Sequence, residues 1–205
     1  VCWGNYEGPH DSDVAFADDD GSLLVATRDG NVTKWWRAPA LVQLLPGHEG
    51  SVRFAALDAS GTRAVTGGVD GTLKVWDMDR GQLRHTLENE GEALATGALS
   101  ADGERAVSVG YGTGIVFWDL ADMKRITKRY GHAKRVWALA FSPDGTMVAS
   151  GGDDHTVRFW DFATQKTMRT LSLTESVQFI TFSPDGGRLL TCTSGPRGWQ
   201  FPAHM

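Results

Sequence analysis

Imidazole, thiol and carboxylate groups are the material from which this chain would build metal or acid–base chemistry, and their spacing favours neither. Of six histidines, His10, His85 and His155 show no metal-ligand spacing and His204 is next to last. His48 and His132 each stand 28 residues before a tryptophan. The segment from Asp11 to Asp20 holds five aspartates but lacks the loop spacing and distal glutamate of a calcium hand, so it reads as a solvated turn. Gly110-Tyr-Gly-Thr-Gly114 has the glycine content of a phosphate loop. It leads into a strand ending at Trp118, not into a helix whose N-terminus would hold phosphate. Cys2 and Cys192 form no Cys-x-x-Cys pair, and no nucleophile–base pair stands out. The expectation is a chain that is not an enzyme, with no catalytic residues, no cofactor and no metal site.

The elements that must position these residues follow from the tryptophans. Trp76, Trp118 and Trp160 are spaced 42 residues apart, Phe201 follows 41 residues later, and Trp35–Trp36 sits one period before Trp76. Phe141-Ser-Pro-Asp-Gly145 returns as Phe182-Ser-Pro-Asp-Gly186, with degenerate copies at Leu57–Gly61 and Leu99–Gly103. A repeat of this length, built from short strands and turns, describes a propeller blade. In the second unit, strands are expected at Val52–Leu57, Thr62–Thr66, Leu73–Trp76 and Gln82–Leu87, with Gly67–Gly71 as a tight turn. The fourth unit repeats them at Val136–Phe141, Met147–Ser150, Val157–Trp160 and Thr167–Leu171. Four antiparallel strands in about 41 residues leave no room for a helix of ordinary length, so the class is all-β.

Gly47-His48 with Trp76-Asp77, and Gly131-His132 with Trp160-Asp161, resemble the WD-repeat (tryptophan–aspartate) β-propeller family. The resemblance covers nearly the whole chain and implies radial blades that present a loop-lined face to other proteins. It also implies two buried tetrads: His48, Thr66, Asp70 and Trp76, and His132, Ser150, Asp154 and Trp160. The residue types suit one another, since an indole N–H only donates, a hydroxyl donates and accepts, and an imidazole links to a carboxylate. In the third unit the same offsets fall on Glu90, Ser108 and Gly112, so the histidine and the aspartate are lost together; the fifth unit has Leu173, Thr191, Gly195 and Phe201. The first unit is ambiguous, because Asp29 pairs with Trp35 whereas the repeat frame favours Trp36. Carried over position by position, the family's partner-facing rim falls on Arg53, Tyr111, Arg135, Trp137, Asp153 and Gln178, together with Val69, Ala95 and Ser194. Tyr, Trp and Arg are the types enriched at binding hot spots.

Five units divide the 205 residues at about 11–46, 47–88, 89–130, 131–172 and 173–205, within one domain. Residues 1–10 are expected to complete the last unit as its fourth strand, closing the ring; the chain would then be a monomer. The alternatives are a structural arc of a larger propeller that assembles with further repeats or another copy, and a ligand- or metal-binding propeller. If the ring closes this way, Cys2 and Cys192 lie two strands apart, about 9–10 Å, too far for a disulfide. The net charge of −5 argues against nucleic acid, and no apolar run of membrane-spanning length occurs. The expected partners are proteins or peptides in the cytoplasm, including acidic or phosphorylated segments that the basic stretch Lys124–Arg135 would attract.

Overall fold

The turns set the architecture. In the computed structural model, residues 13–16, 23–26, 31–35, 42–195 and 198–200 are described, with side chains for Leu45 and 47–194. The strands are antiparallel and fall into five sheets. The first holds β1 (Asp13–Phe16), β2 (Leu23–Ala26), β3 (Asn31–Trp35) and β4 (Val42–Pro46). The second holds β5 (Val52–Leu57), β6 (Arg63–Gly68), β7 (Thr72–Asp77) and β8 (Gln82–Glu88). The third runs through β9 (Thr96–Leu99), β10 (Arg105–Val109), β11 (Gly114–Asp119) and β12 (Lys124–Tyr130). The fourth runs through β13 (Val136–Phe141), β14 (Met147–Gly152), β15 (Thr156–Asp161) and β16 (Thr167–Ser172). The fifth has β17 (Ser176–Phe182), β18 (Leu189–Gly195) and β19 (Gly198–Gln200). No helix occurs among the described residues. The expected closing strand at 1–10, with Cys2, and Phe201 lie outside them.

Local chemistry explains the strand ends. Between the first and second strands, Ser100, Ser142 and Ser183 donate to Asp102, Asp144 and Asp185 at 2.5–2.6 Å. The glycine that follows each aspartate takes a φ of 68–70°, open to glycine at little cost. Between the third and fourth strands, the aspartate of each tryptophan–aspartate pair accepts turn N–H groups. Arg80 N donates to Asp77 at 2.9 Å, Asp122 N to Asp119 at 3.0 Å and Thr164 N to Asp161 at 2.6 Å.

Sheet-to-sheet packing follows a simple order. The first strand of each sheet packs against the first strand of the next, β1 on β5, β5 on β9, β9 on β13 and β13 on β17. The fourth strands β8 and β16 are mostly exposed. The cores lie between successive sheets. One gathers Phe54, Val75, Leu94, Val116 and Trp118, and the next Val107, Phe117, Val136, Val148 and Trp160. Two arginines stitch the second sheet to the third and the third to the fourth. Arg63 Nη1 donates to the Gly103 carbonyl at 2.6 Å, and Arg105 Nη1 repeats the bond to Gly145 at 2.9 Å.

One expectation needs correction. Gly67 and Gly68 are not turn residues, since β6 runs through Gly68 and β14 likewise reaches Gly152. The glycines stay in the ladder because their missing side chains make room for neighbours. A Cβ on Gly67 would lie 2.1 Å from the Phe54 ring, and one on Gly151 would lie 2.4 Å from Val177.

Candidate functional site

Two networks run through the second and fourth sheets with nearly the same geometry. Trp76 Nε1 donates to Thr66 Oγ1 at 2.8 Å, Thr66 Oγ1 lies 2.7 Å from His48 Nε2, and His48 Nδ1 is 2.9 Å from Asp70. In the fourth sheet Trp160 Nε1 reaches Ser150 Oγ at 2.8 Å, His132 Nε2 is 2.7 Å from that oxygen, and His132 Nδ1 is 3.0 Å from Asp154. The proton positions follow from chemistry. A carboxylate only accepts, so Nδ1 must carry hydrogen; in a neutral imidazole Nε2 then accepts the hydroxyl proton. The hydroxyl oxygen in turn accepts from the indole. Every group is satisfied in one direction, from tryptophan to hydroxyl to imidazole to carboxylate.

The electrostatics agree with a neutral imidazole. Burial pulls His48 and His132 below the usual histidine pKa, against the raising pull of Asp70 and Asp154. Burial pushes the Asp154 carboxyl up, but the bonds from His132, Ala133 N–H and Thr156 outweigh it and hold the group at about 2. Residues beyond the four complete each network. Thr72 and Thr156 donate to Asp70 and Asp154 at 3.0 and 2.8 Å, and the N–H groups of Glu49 and Ala133 add bonds of 3.0 and 2.9 Å. The threonines carried a signal that could have found them, since each stands two residues after the aspartate in both units.

The third sheet keeps only the first link, Trp118 Nε1 to Ser108 Oγ at 2.8 Å. Glu90 turns instead to an ion pair with Arg125. With glycines at 110, 112 and 114, a recess of about 430 Å³ opens here, lined by Glu92, Gly110, Tyr111, Gly112, Lys128 and Tyr130. In the fifth sheet Thr191 is buried.

Arg53, Trp137 and Gln178 share one structural cause. The pairing shifts register between Val52 and Phe54, between Val136 and Ala138, and between Val177 and Phe179, so these three residues are the extra residues of matching β-bulges. A bulge takes a side chain out of the ladder's alternation and re-aims it. The residues then meet across sheets. The Arg135 guanidinium lies 3.5 Å from the Trp137 ring centroid and 4.6 Å from that of Tyr111, with the Arg53 guanidinium 5.9 Å from the Tyr111 ring centroid. Asp153 and Gln178 are joined through a residue not anticipated from sequence, Ser176. Its hydroxyl donates to Asp153 Oδ1 at 2.6 Å, and Gln178 Nε2 is 2.8 Å from the same hydroxyl.

Exposure varies across the group. Tyr111 is 48% exposed, whereas Arg53, Arg135 and Trp137 are half-buried. Arg53 Nε, Arg135 Nε and Trp137 Nε1 are buried without a hydrogen-bond partner. Burial lowers the Arg135 pKa, with the like charge of Arg53 adding to it and Tyr111 and Asp153 opposing. Val69 is exposed on the loop beyond β6.

The basic stretch Lys124–Arg135 is not one uncommitted docking strip. Lys124 pairs with Asp122 at 2.5 Å, Arg125 pairs with Glu90, and Lys128 pairs with Glu92. Strand alternation sends successive side chains to opposite faces, and each of these three meets a carboxylate of the chain itself. Among the described residues no group of three His, Cys, Asp or Glu side chains is arranged to hold a metal ion.

Residues 39–77 and 123–161 match the family model described as WD domain, G-beta repeat. The chain is 49% identical over 45 residues to ribosome biogenesis protein erb1 of Botryotinia fuckeliana, covering 22% of this chain and 6% of that protein. It is 37% identical over 78 residues to pre-mRNA-splicing factor PRP46 of Candida glabrata, covering 36% and 18%. It is 30% identical over 79 residues to human NACHT domain- and WD repeat-containing protein 1, covering 38% and 5%. The chain thus spans less than a fifth of the length of these relatives. Both matched segments end on the aspartate of a tryptophan–aspartate pair whose tryptophan anchors a complete network, and over these two segments the chain is similar to WD repeats.

Proposed function

We propose that this chain is a non-enzymatic platform for protein–protein interaction, a β-propeller of WD-type blades with its partner-facing surface at Arg53, Tyr111, Arg135, Trp137, Asp153 and Gln178. The observation that carries this reading is the convergence of Arg53, Tyr111 and Arg135–Trp137 from three successive sheets onto one stack of rings and guanidinium groups. Such groups form binding anchors when a partner excludes water around them. Two relatives are a ribosome biogenesis protein and a pre-mRNA-splicing factor, and these are processes in which a platform has many proteins to hold. The partner in this reading is a protein, in keeping with the net charge of −5.

The test is site-specific photo-crosslinking in native extract. A crosslinking side chain at Gln178 should capture defined proteins, and one at Met168, exposed on the outer strand β16, should not. Trp137→Ala should abolish the Gln178 crosslinks while thermal melting shifts little. A large drop in melting temperature with crosslinks unchanged would assign Trp137 to packing between sheets and remove it from the face.

A second reading, an arc that joins further repeats, draws support from the much greater length of the relatives. In the first reading residues 1–10 add the fourth strand to the fifth sheet. Sedimentation at micromolar concentration tests the self-pairing form of the arc, which runs at a multiple of the 22.2 kDa of one chain, whereas a closed propeller runs at that mass.

A further inference from the structure

The donors left over on this face are all of one kind. Arg53 Nε, Arg135 Nε and Trp137 Nε1 are N–H groups, buried and without an acceptor. An unmade hydrogen bond at a buried donor is destabilising, more so at a charged one. Both guanidinium groups lie against the same Tyr111 ring, and their charges repel. Among the described residues no ion pair involves Arg53 or Arg135. The nearby carboxylate of Asp153 is held by Ser176 Oγ at 2.6 Å. Arg125, Lys128 and Lys124 each have a carboxylate of their own, whereas Arg158 Nε on β15 is likewise buried without an acceptor but has no second such arginine against a shared ring.

Resting on the platform reading, we infer that Arg53, Arg135 and the Trp137 indole form a subsite for a carboxylate, supplied by an aspartate or glutamate in an acidic peptide segment of the partner. A carboxylate is planar and accepts two parallel N–H bonds from a guanidinium edge, which matches the donors on offer. It also relieves the repulsion between the two arginines. Tyr111, the exposed ring on the glycine-rich loop Gly110–Gly112, lies against both guanidinium groups, so an entering acid must displace it. Asp153 favours the singly charged carboxylate over a phosphate dianion, because it adds a negative charge beside Arg135. The adjoining recess of about 430 Å³ shares Tyr111 and leaves room for the rest of the segment.

The experiment pans a randomised 12-residue peptide library on the whole chain, in parallel with Arg135→Gln, Arg135→Lys and Arg53→Gln. Selected peptides are then resynthesised with the acid replaced by glutamine or phosphoserine. Expected are enrichment of Asp or Glu at one position and a loss of roughly tenfold or more in affinity on Arg135→Gln, from removing a charge-assisted bond. Arg135→Lys should also lose affinity, because an ammonium supplies neither the fork nor the ring stack. Circular dichroism melts confirm that each variant is folded. Selection of no peptides, of peptides without acidic enrichment, or of acidic peptides that bind Arg135→Gln equally well overturns the subsite. Phosphoserine peptides binding more than tenfold tighter reassign it to phosphate and overturn the carboxylate. The Gln178 crosslinks judge the platform separately, so crosslinks that persist when acidic selection fails leave the platform standing and remove only the subsite.

Discussion

Arg53 and Trp137 are the same residue of the repeat, each the extra member of a β-bulge one position into the first strand of its sheet. Their chemistry differs, yet the shared bulge aims both toward the Tyr111–Arg135 stack, Arg53 at 5.9 Å from Tyr111 and Trp137 at 3.5 Å from Arg135. A repeat architecture thereby uses one backbone irregularity to deliver varied side chains to a common face.

The tetrads should behave as cooperative networks. Asp154→Ala leaves the His132 Nδ1–H and the Ala133 N–H without their acceptor, in a pair whose side chains are 0% and 6% exposed. The expected loss is about 2–4 kcal/mol in urea denaturation. Gly112→Asp should change stability by less than about 0.5 kcal/mol, since no histidine waits at Glu90 and a Cβ there meets nothing within 4 Å. Equal effects at the two positions would contradict the network.

Stability should fall on acidification in two stages. His48 and His132 have folded pKa values below the ordinary 6.5 because of burial, so the unfolded chain binds protons first. Their contribution is complete above that value and is lost as pH falls through the lowered folded values. Asp154, at about 2 when folded against 3.8 normally, adds a second loss between those values. Denaturation midpoints measured from pH 7.5 to 3 should decline monotonically, and the first stage should shrink in His132→Gln. A rise in stability between pH 7 and 5 would show that the imidazoles are charged when folded.

Phe54 should be the most confined side chain between the second and third sheets. A Cβ on Gly67 would come within 2.1 Å of its ring and one on Gly97 within 2.3 Å, so the ring has little room to retreat from either. Gly97→Ala is expected to cost about 1–3 kcal/mol by overpacking. The double variant Gly97→Ala with Phe54→Leu should recover part of that loss. No recovery in the double variant would show that the strain lies elsewhere.

His155 stands in the turn where the second unit has Gly71, and the two share a left-handed backbone, with φ 61° and 75°. A non-glycine residue there carries strain, partly offset by its smaller loss of backbone entropy on folding. His155→Gly should therefore stabilise by up to about 1 kcal/mol, read as a rise in the urea midpoint at unchanged slope. A fall would mean that the imidazole makes a contact worth more than the strain.

The strands and the tetrads were legible because both are set within one repeat. Turn residues bound the strands, the two-residue strand period carries side chains in register, and His, hydroxyl, Asp and Trp meet across neighbouring strands of a single sheet. The tryptophan interval therefore announced the sheets, and the offsets from Trp76 and Trp160 located the bonded groups. The Gly67–Gly68 pair misled because its place in the ladder depends on the neighbours that fill its missing side chains, the Phe54 ring at Gly67 and the His48 ring at Gly68, which no local rule anticipates. The face is another matter. The rim positions of Arg53, Tyr111 and Arg135 come from three units, and a resemblance proposed them as neighbours without saying how they touch. Bulges and the packing of one sheet on the next decide that Arg135 lies between Tyr111 and Trp137, that Ser176 joins Asp153 to Gln178, and that Lys128 goes to Glu92. Backbone hydrogen bonding and turn geometry act over a few residues and are written in sequence. Contacts between sheets depend on the angle and depth at which cores such as Phe54 against Gly97 come to rest, and only the folded chain has that information.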